Sequence, residues 1–188
     1  MITKENLRLK VIPSIHQLDK ETFIQEITYK LECFFEQKRK IVILCIGTDC
    51  STGDAFGPIV GSLLKKNHFH FPVYGTIENP VDALNLNETI LFIQQKYNNP
   101  FILTIDASLG KKAQIGSLYF KMGSMIPGKA ASKKLPKVGD AQLCAVVNEL
   151  DSSFFPKKIH ETRLYHVYLL ASETVKILME SCQRLNRN

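Results

Sequence analysis

Two aspartates stand where short apolar runs give way to polar loops. Ile41-Val-Ile-Leu-Cys-Ile46 leads into a loop that holds Asp54, and Phe101-Ile-Leu-Thr-Ile105 leads directly into Asp106. If the two runs are neighbouring parallel strands, both carboxyls converge beyond the strands' carboxyl ends, where open α/β sheets hold their ligands. Two close carboxyl groups do not easily both ionise, so one keeps its proton at a raised pKa. The ionised member then activates water while the protonated member donates to a carbonyl or a leaving group. The competing reading is that each aspartate only caps a turn or a helix start.

Other chemistries find less support. The Gly47–Gly57 loop contains neither GxGxxG nor GxxxxGK[ST], so it is no nucleotide fingerprint, although its backbone N–H groups could hold an anion or a substrate carbonyl. A nucleophile at Cys50 or Ser51 needs a histidine base. The five histidines are His16, His68, His70, His160 and His166, and none falls between residues 71 and 159. Asp54 and Asp106 could supply two oxygen ligands to a metal, but no histidine offers itself as a third. No metal and no cofactor are therefore expected. Asp49 is expected to cap the loop, and Asp82, in Asn79-Pro-Val-Asp-Ala-Leu84, to start a helix.

The elements that must position the pair follow from periodicity. Phe23, Ile27, Leu31 and Phe34 mark a helix over 19–37, with Asp19 as its cap. The run Ile41–Ile46 is apolar throughout, as expected of a strand buried on both faces. Pro58 opens a second helix, which ends at Lys65-Lys66. A strand over Phe71–Ile77 precedes a third helix carrying Leu86, Ile90, Ile93 and Tyr97. Phe101–Ile105 is the next buried strand, Gly116–Met122 a strand open to antiparallel pairing, and Leu143–Val147 the last strand. A final helix runs over about 162–185. The alternation predicts one α/β domain over 1–188: a three-layer α/β/α sandwich with a mixed, mostly parallel sheet. Residues 1–18 form an N-terminal extension, and 123–140 an irregular lysine-rich segment.

Composition sets the outer bounds. The 188 residues are 45% hydrophobic and 22% charged, which suits a folded domain and excludes disordered or collagen-like chains. No apolar run has the ~18 residues of a membrane span, and no signal-peptide core follows the N-terminus, so no membrane partner is expected. Five cysteines without a CxxC pair fit a reduced, cytoplasmic setting. The net charge of +6 is concentrated: Lys111, Lys112, Lys121, Lys129, Lys133, Lys134 and Lys137 share a stretch with no acidic residue. It reads either as a solvated surface or as a clamp on an acidic partner. It lacks the aromatic interleaving and motifs of nucleic-acid binders, so nucleic acid is not the expected partner.

Four blocks carry a family resemblance. IGTDCSTGDAFGPIVG, VYGTIENPVDALNL, ILTIDASLG and LPKVGDAQLCAVVN, in this order, resemble the YyaC family of sporulation proteins over most of 41–185. That family is similar to the germination protease of bacterial spores and, more remotely, to the hydrogenase maturation endopeptidases. The resemblance implies the same three-layer fold. In the germination protease the two motif aspartates, Asp54 and Asp106 here, are the proposed catalytic pair. Its substrates, the small acid-soluble spore proteins, imply a protein or peptide substrate and a sporulating cell or forespore as the setting. In the maturation peptidases the matching acidic positions bind nickel with a later histidine, which this chain lacks in the corresponding stretch.

Three functions are thus in view. The first is an endopeptidase using Asp54, Asp106 and water. The second is a non-catalytic sporulation factor that binds a peptide or protein. The third is a metal-dependent maturation peptidase.

Overall fold

The apolar runs become the middle of a single sheet. The computed structural model describes residues 7–11, 17–127, 136–150, 159 and 161–185. In chain order the elements are β1 (Leu7–Lys10), α1 (Gln17–Glu36), β2 (Ile41–Cys45), α2 (Phe56–Lys66), β3 (Val73–Tyr74), α3 (Leu86–Lys96), β4 (Phe101–Gly110), a 3-10 turn (Lys112–Gln114), β5 (Ser117–Met122), β6 (Ala141–Glu149) and α4 (Leu164–Leu185). The six strands lie in the order β1-β5-β6-β4-β2-β3. β3, β2, β4 and β6 are parallel, and β5 alone runs against them, pairing antiparallel with both β6 and β1.

Strand alternation divides the core in two. Ile41, Ile43 and Cys45 of β2 face one way, with Leu103 and Ile105 of β4, under α1, α2 and α4. Val42, Leu44 and Ile46 face the other way, with Ile102, against Leu86 and Ile93 of α3. The result is the expected α/β/α sandwich with a mixed, mostly parallel sheet. The two outer layers are unequal. Three helices cover one face, whereas α3 packs on the other beside Val81 and Val138. Beyond α3, the same face of β4, β6 and β5 carries Thr104, Asp106, Gln142, Cys144, Tyr119 and Lys121.

The chain also departs from expectation in places. β4 does not stop at Ile105: it runs on to Gly110, so Asp106 lies inside the strand, opposite Cys144 of β6. Residues such as Asp and Gly are poor strand formers, and here the pairing with β6 overrides local preference. Leu7–Lys10, expected within an extension, adds an edge strand to β5. The strand expected over 71–77 pairs only at Val73 and Tyr74. α2 starts at Phe56, which puts Pro58 in its first turn, where a missing N–H is still harmless. Asp19 sits in the first turn of α1 and not ahead of it. Within 123–140, Met125 and Val138 form an antiparallel bridge, while 128–135, with Lys129, Lys133 and Lys134, lie outside the described residues. His16 and His160 lie outside them as well. Among the described residues no helix is long and apolar enough to cross a membrane.

Candidate active site

The strand order reverses between β2 and β4. From β2 the chain moves outward to β3, then returns to place β4 on the other side of β2. Such a switch point opens a crevice at the carboxyl ends of the strands, because consecutive connections leave in opposite directions. Asp54 is in the loop that leaves β2. Asp106 lies one residue past Ile105, which pairs with the last residue of β2, Cys45.

Close backbone packing bends the β2–α2 loop over the sheet edge. Ile46 N–H donates to Ile105 O at 2.7 Å, and Gly47 N–H to Val81 O at 2.8 Å. Gly47 has φ +142, a conformation that side chains disfavour, and a Cβ there would stand 2.0 Å from the Asp54 carbonyl oxygen. Gly57, in the first turn of α2, presses on Ile46, where a Cβ would meet its carbonyl oxygen at 2.1 Å. Gly53 N–H donates to Ile159 O at 3.0 Å. Asp54 is half-buried and stands one residue before the N-cap of α2, Ala55, which makes no side-chain cap bond. The positive end of a helix favours an anionic group there.

Asp54 and Asp106 line one cavity of about 720 Å³, bounded also by Thr48, Asp82, Ser108, Tyr119, Lys121 and Gln142. Asp106 is buried, at 8% exposure. Its carboxyl is held well above the ordinary carboxylate range, first by burial and second by the negative charge of Asp54. The Ala107 N–H, which donates to Asp106 Oδ1 at 2.9 Å, pulls the other way without prevailing. The site therefore sets a buried carboxyl, biased toward its protonated form, beside a more exposed one, with room for a ligand between the strands and the Ser124–Pro127 segment.

The remaining sequence candidates fall elsewhere. Cys50 is exposed and does not line the cavity. Ser51 is buried, and its hydroxyl has no hydrogen-bond partner among the described residues. Asp49 is exposed, and the loop's capping bond comes from Thr48, whose Oγ1 accepts from Cys50 N–H at 3.3 Å. Asp82 precedes α3 rather than starting it: its carboxylate accepts from Leu84 N–H at 2.8 Å, and the helix begins at Leu86. His70 lies with Lys40 and Phe71 at the opposite edge of the sheet, and His166 lies within α4. Among the described residues no histidine lines the cavity, and no three His, Cys, Asp or Glu side chains stand close enough to hold a metal ion. Of the lysine-rich stretch, Lys121 and Lys137 reach the cavity wall.

Sequence reasoning missed Tyr119, Gln142 and Cys144, which also line the cavity. A signal was there. In β5, Ser117, Tyr119 and Lys121 alternate with Leu118, Phe120 and Met122, the pattern of a strand with one face away from the core.

The sequence is 43% identical over 111 residues to the uncharacterized protein YyaC of Bacillus subtilis strain 168. That alignment covers 58% of this chain and 54% of the relative, so the chain spans about half the length of the curated protein it matches. The structure is similar to the crystal structure of the NiFe hydrogenase maturation protease HycI from Thermococcus kodakarensis KOD1. The identity is 21%, the TM-score 0.45, and the match covers 79% of this chain and 97% of that one. Residues 14–177, most of the chain, match the family described as protein of unknown function, DUF1256, and the chain belongs to that family.

Proposed function

We propose that the protein is an endopeptidase whose catalytic pair is Asp54 and Asp106. One observation carries this reading: a buried carboxyl, Asp106, biased toward its protonated form by burial and by the charge of Asp54, opens into a cavity with room for a peptide. Structural aspartates ordinarily accept from backbone donors at turns, as Asp82 does. A buried carboxyl next to a second carboxyl lowers stability, and such arrangements cluster at functional sites.

The roles follow from the two environments. Asp54, more exposed and at a helix's positive end, acts as the base. It accepts a proton from a water molecule whose oxygen attacks the scissile carbonyl carbon. Asp106 holds the other proton and hydrogen-bonds the carbonyl oxygen, then passes its proton to the departing amine nitrogen as the C–N bond breaks. The two carboxyls end the cycle with their protonation exchanged, and proton transfer through solvent restores the start. Small acid-soluble spore proteins, in a sporulating cell or forespore, are the substrate class implied by the resemblance of the two aspartate blocks to the germination protease.

The test is cleavage of a small acid-soluble spore protein by the wild type, Asp54→Asn and Asp106→Asn. Cleavage by the wild type and loss in both variants supports the reading. Equal activity in all three rejects the assigned roles. Absence of cleavage by the wild type, with the protein substrate retained in a pull-down, favours the non-catalytic binding factor, whose supporting feature is the pair of cavity-wall lysines, Lys121 and Lys137.

A further inference from the structure

The cavity floor contains a polar row that the two-aspartate scheme leaves unused. Asp106 of β4 stands opposite Cys144 of β6, and Cys144 stands opposite Tyr119 of β5. All three side chains line the cavity. Two strand spacings separate Asp106 from Tyr119, about 10 Å between backbones. Their side chains rise from one face of the sheet into the cavity, on either side of Cys144.

The tyrosine hydroxyl is held but not committed. It interacts with the Ser108 hydroxyl and the Cys144 thiol. The Ser108 hydroxyl, which also reaches the Ala145 carbonyl at 3.2 Å, acts on Tyr119 as a donor to its oxygen, while the Tyr119 O–H donates to the Cys144 thiol. A thiol is a weak acceptor. Burial, and after it the neighbouring Cys144, keep the phenol protonated well beyond neutral pH. A buried network whose donor faces only a weak neutral acceptor is poised to switch to a stronger one.

We propose that Tyr119 is a third catalytic group, donating its hydroxyl hydrogen bond to the substrate's carbonyl oxygen as negative charge develops there. This rests on the peptidase reading of the Asp54–Asp106 pair. No covalent bond to Tyr119 forms or breaks: its O–H turns from the Cys144 sulfur to the oxyanion and back when the carbonyl reforms. Ser108 and Cys144 act as positioning residues that aim the ring. The donor is pre-aligned in a site from which water is partly excluded, the arrangement in which such bonds count most.

The experiment compares the wild type, Tyr119→Phe and Asp54→Asn on a small acid-soluble spore protein, with thermal unfolding of each. Tyr119→Phe keeps the ring and is expected to lower kcat by roughly 10²–10³-fold, with KM changed by less than about twofold. Replacement of Tyr119 by 3,5-difluorotyrosine, whose phenol is more acidic, is expected to retain activity at neutral pH. Wild-type rates in Tyr119→Phe, or loss of activity at neutral pH in the fluorinated protein, overturn the role of Tyr119 while leaving the aspartate pair standing if Asp54→Asn is inactive. Wild-type rates in Asp54→Asn, or no cleavage by the wild type, overturn the peptidase reading and this role with it.

Discussion

Gly47 and the main chain of Asp54 are packed against each other, so that a Cβ on Gly47 would fall 2.0 Å from the Asp54 carbonyl oxygen. This contact, between residues seven positions apart in the loop that leaves β2, sets the height of Asp54 above the sheet. Gly47→Ala must either open the loop or strain a backbone already at φ +142. The expected cost is about 1–3 kcal/mol of stability. Peptidase activity is expected to fall with it, because Asp54 moves while Asp106, held by β-pairing, does not. Urea unfolding and the cleavage assay on the same sample check both effects.

Asp106 gives a pH signature in stability. Its folded-state pKa is raised, so the native state holds a proton that the unfolded chain has already released. The contribution is therefore fully present below the ordinary carboxylate pKa, about 3.9, and is lost as pH rises toward the folded value. Asp106→Asn keeps the acceptor for Ala107 N–H and cannot ionise. The variant is expected to be more stable than the wild type near pH 8, by about 2–4 °C in Tm for each kcal/mol regained. That advantage is expected to shrink as pH falls toward 4. Thermal unfolding across this range measures it.

Thiol chemistry separates site from surface. Cys33 and Cys50 are exposed, whereas Cys45, Cys144 and Cys182 are buried. Cys144 is further protected because burial and the charge of Asp106 push its thiol up to about 12. Native protein at pH 8 is expected to take up iodoacetamide at Cys33 and Cys50 and to spare the other three, as read by peptide mass mapping. Cys50→Ala is expected to leave cleavage unchanged, since Cys50 does not line the cavity.

The opposite end of the sheet offers a purely structural control. Arg39 donates to Asn99 O at 3.1 Å, to Pro100 O at 2.9 Å and to Asp140 Oδ1 at 3.2 Å. Its guanidinium also lies over the rings of Phe34 and Phe101. Asp140 in turn accepts from Ile102 N–H at 2.9 Å. Arg39→Ala is expected to cost about 1–3 kcal/mol by chemical unfolding while leaving kcat unaltered.

How far the sequence alone reaches is visible in particular residues. Ile41–Cys45 is apolar on both faces and Phe101–Ile105 nearly so, broken only by Thr104, as suits central parallel strands, and both runs lead toward the two aspartates. What escaped depends on distant partners. Leu7–Lys10 becomes a strand only because β5, more than a hundred residues later, offers it an edge. The extension of β4 to Gly110 depends likewise on β6. Tyr119 and Cys144 look unremarkable in the sequence, since their meaning lies in a cross-strand row that register alone creates. The bulge between Ser108 and Leu109, where β4 leaves even register with β6, is set by tertiary pairing in the same way.

The most direct probe of the whole account is a carboxyl-carbon NMR titration of Asp106, in the wild type and in Asp54→Asn. The expected result is a midpoint well above the ordinary range in the wild type, moving down but staying elevated once the neighbouring charge is gone. A midpoint near 3.9, the usual aspartate value, or one indifferent to Asp54→Asn, would mean that the two side chains share no proton and that the cavity is not a two-carboxyl centre.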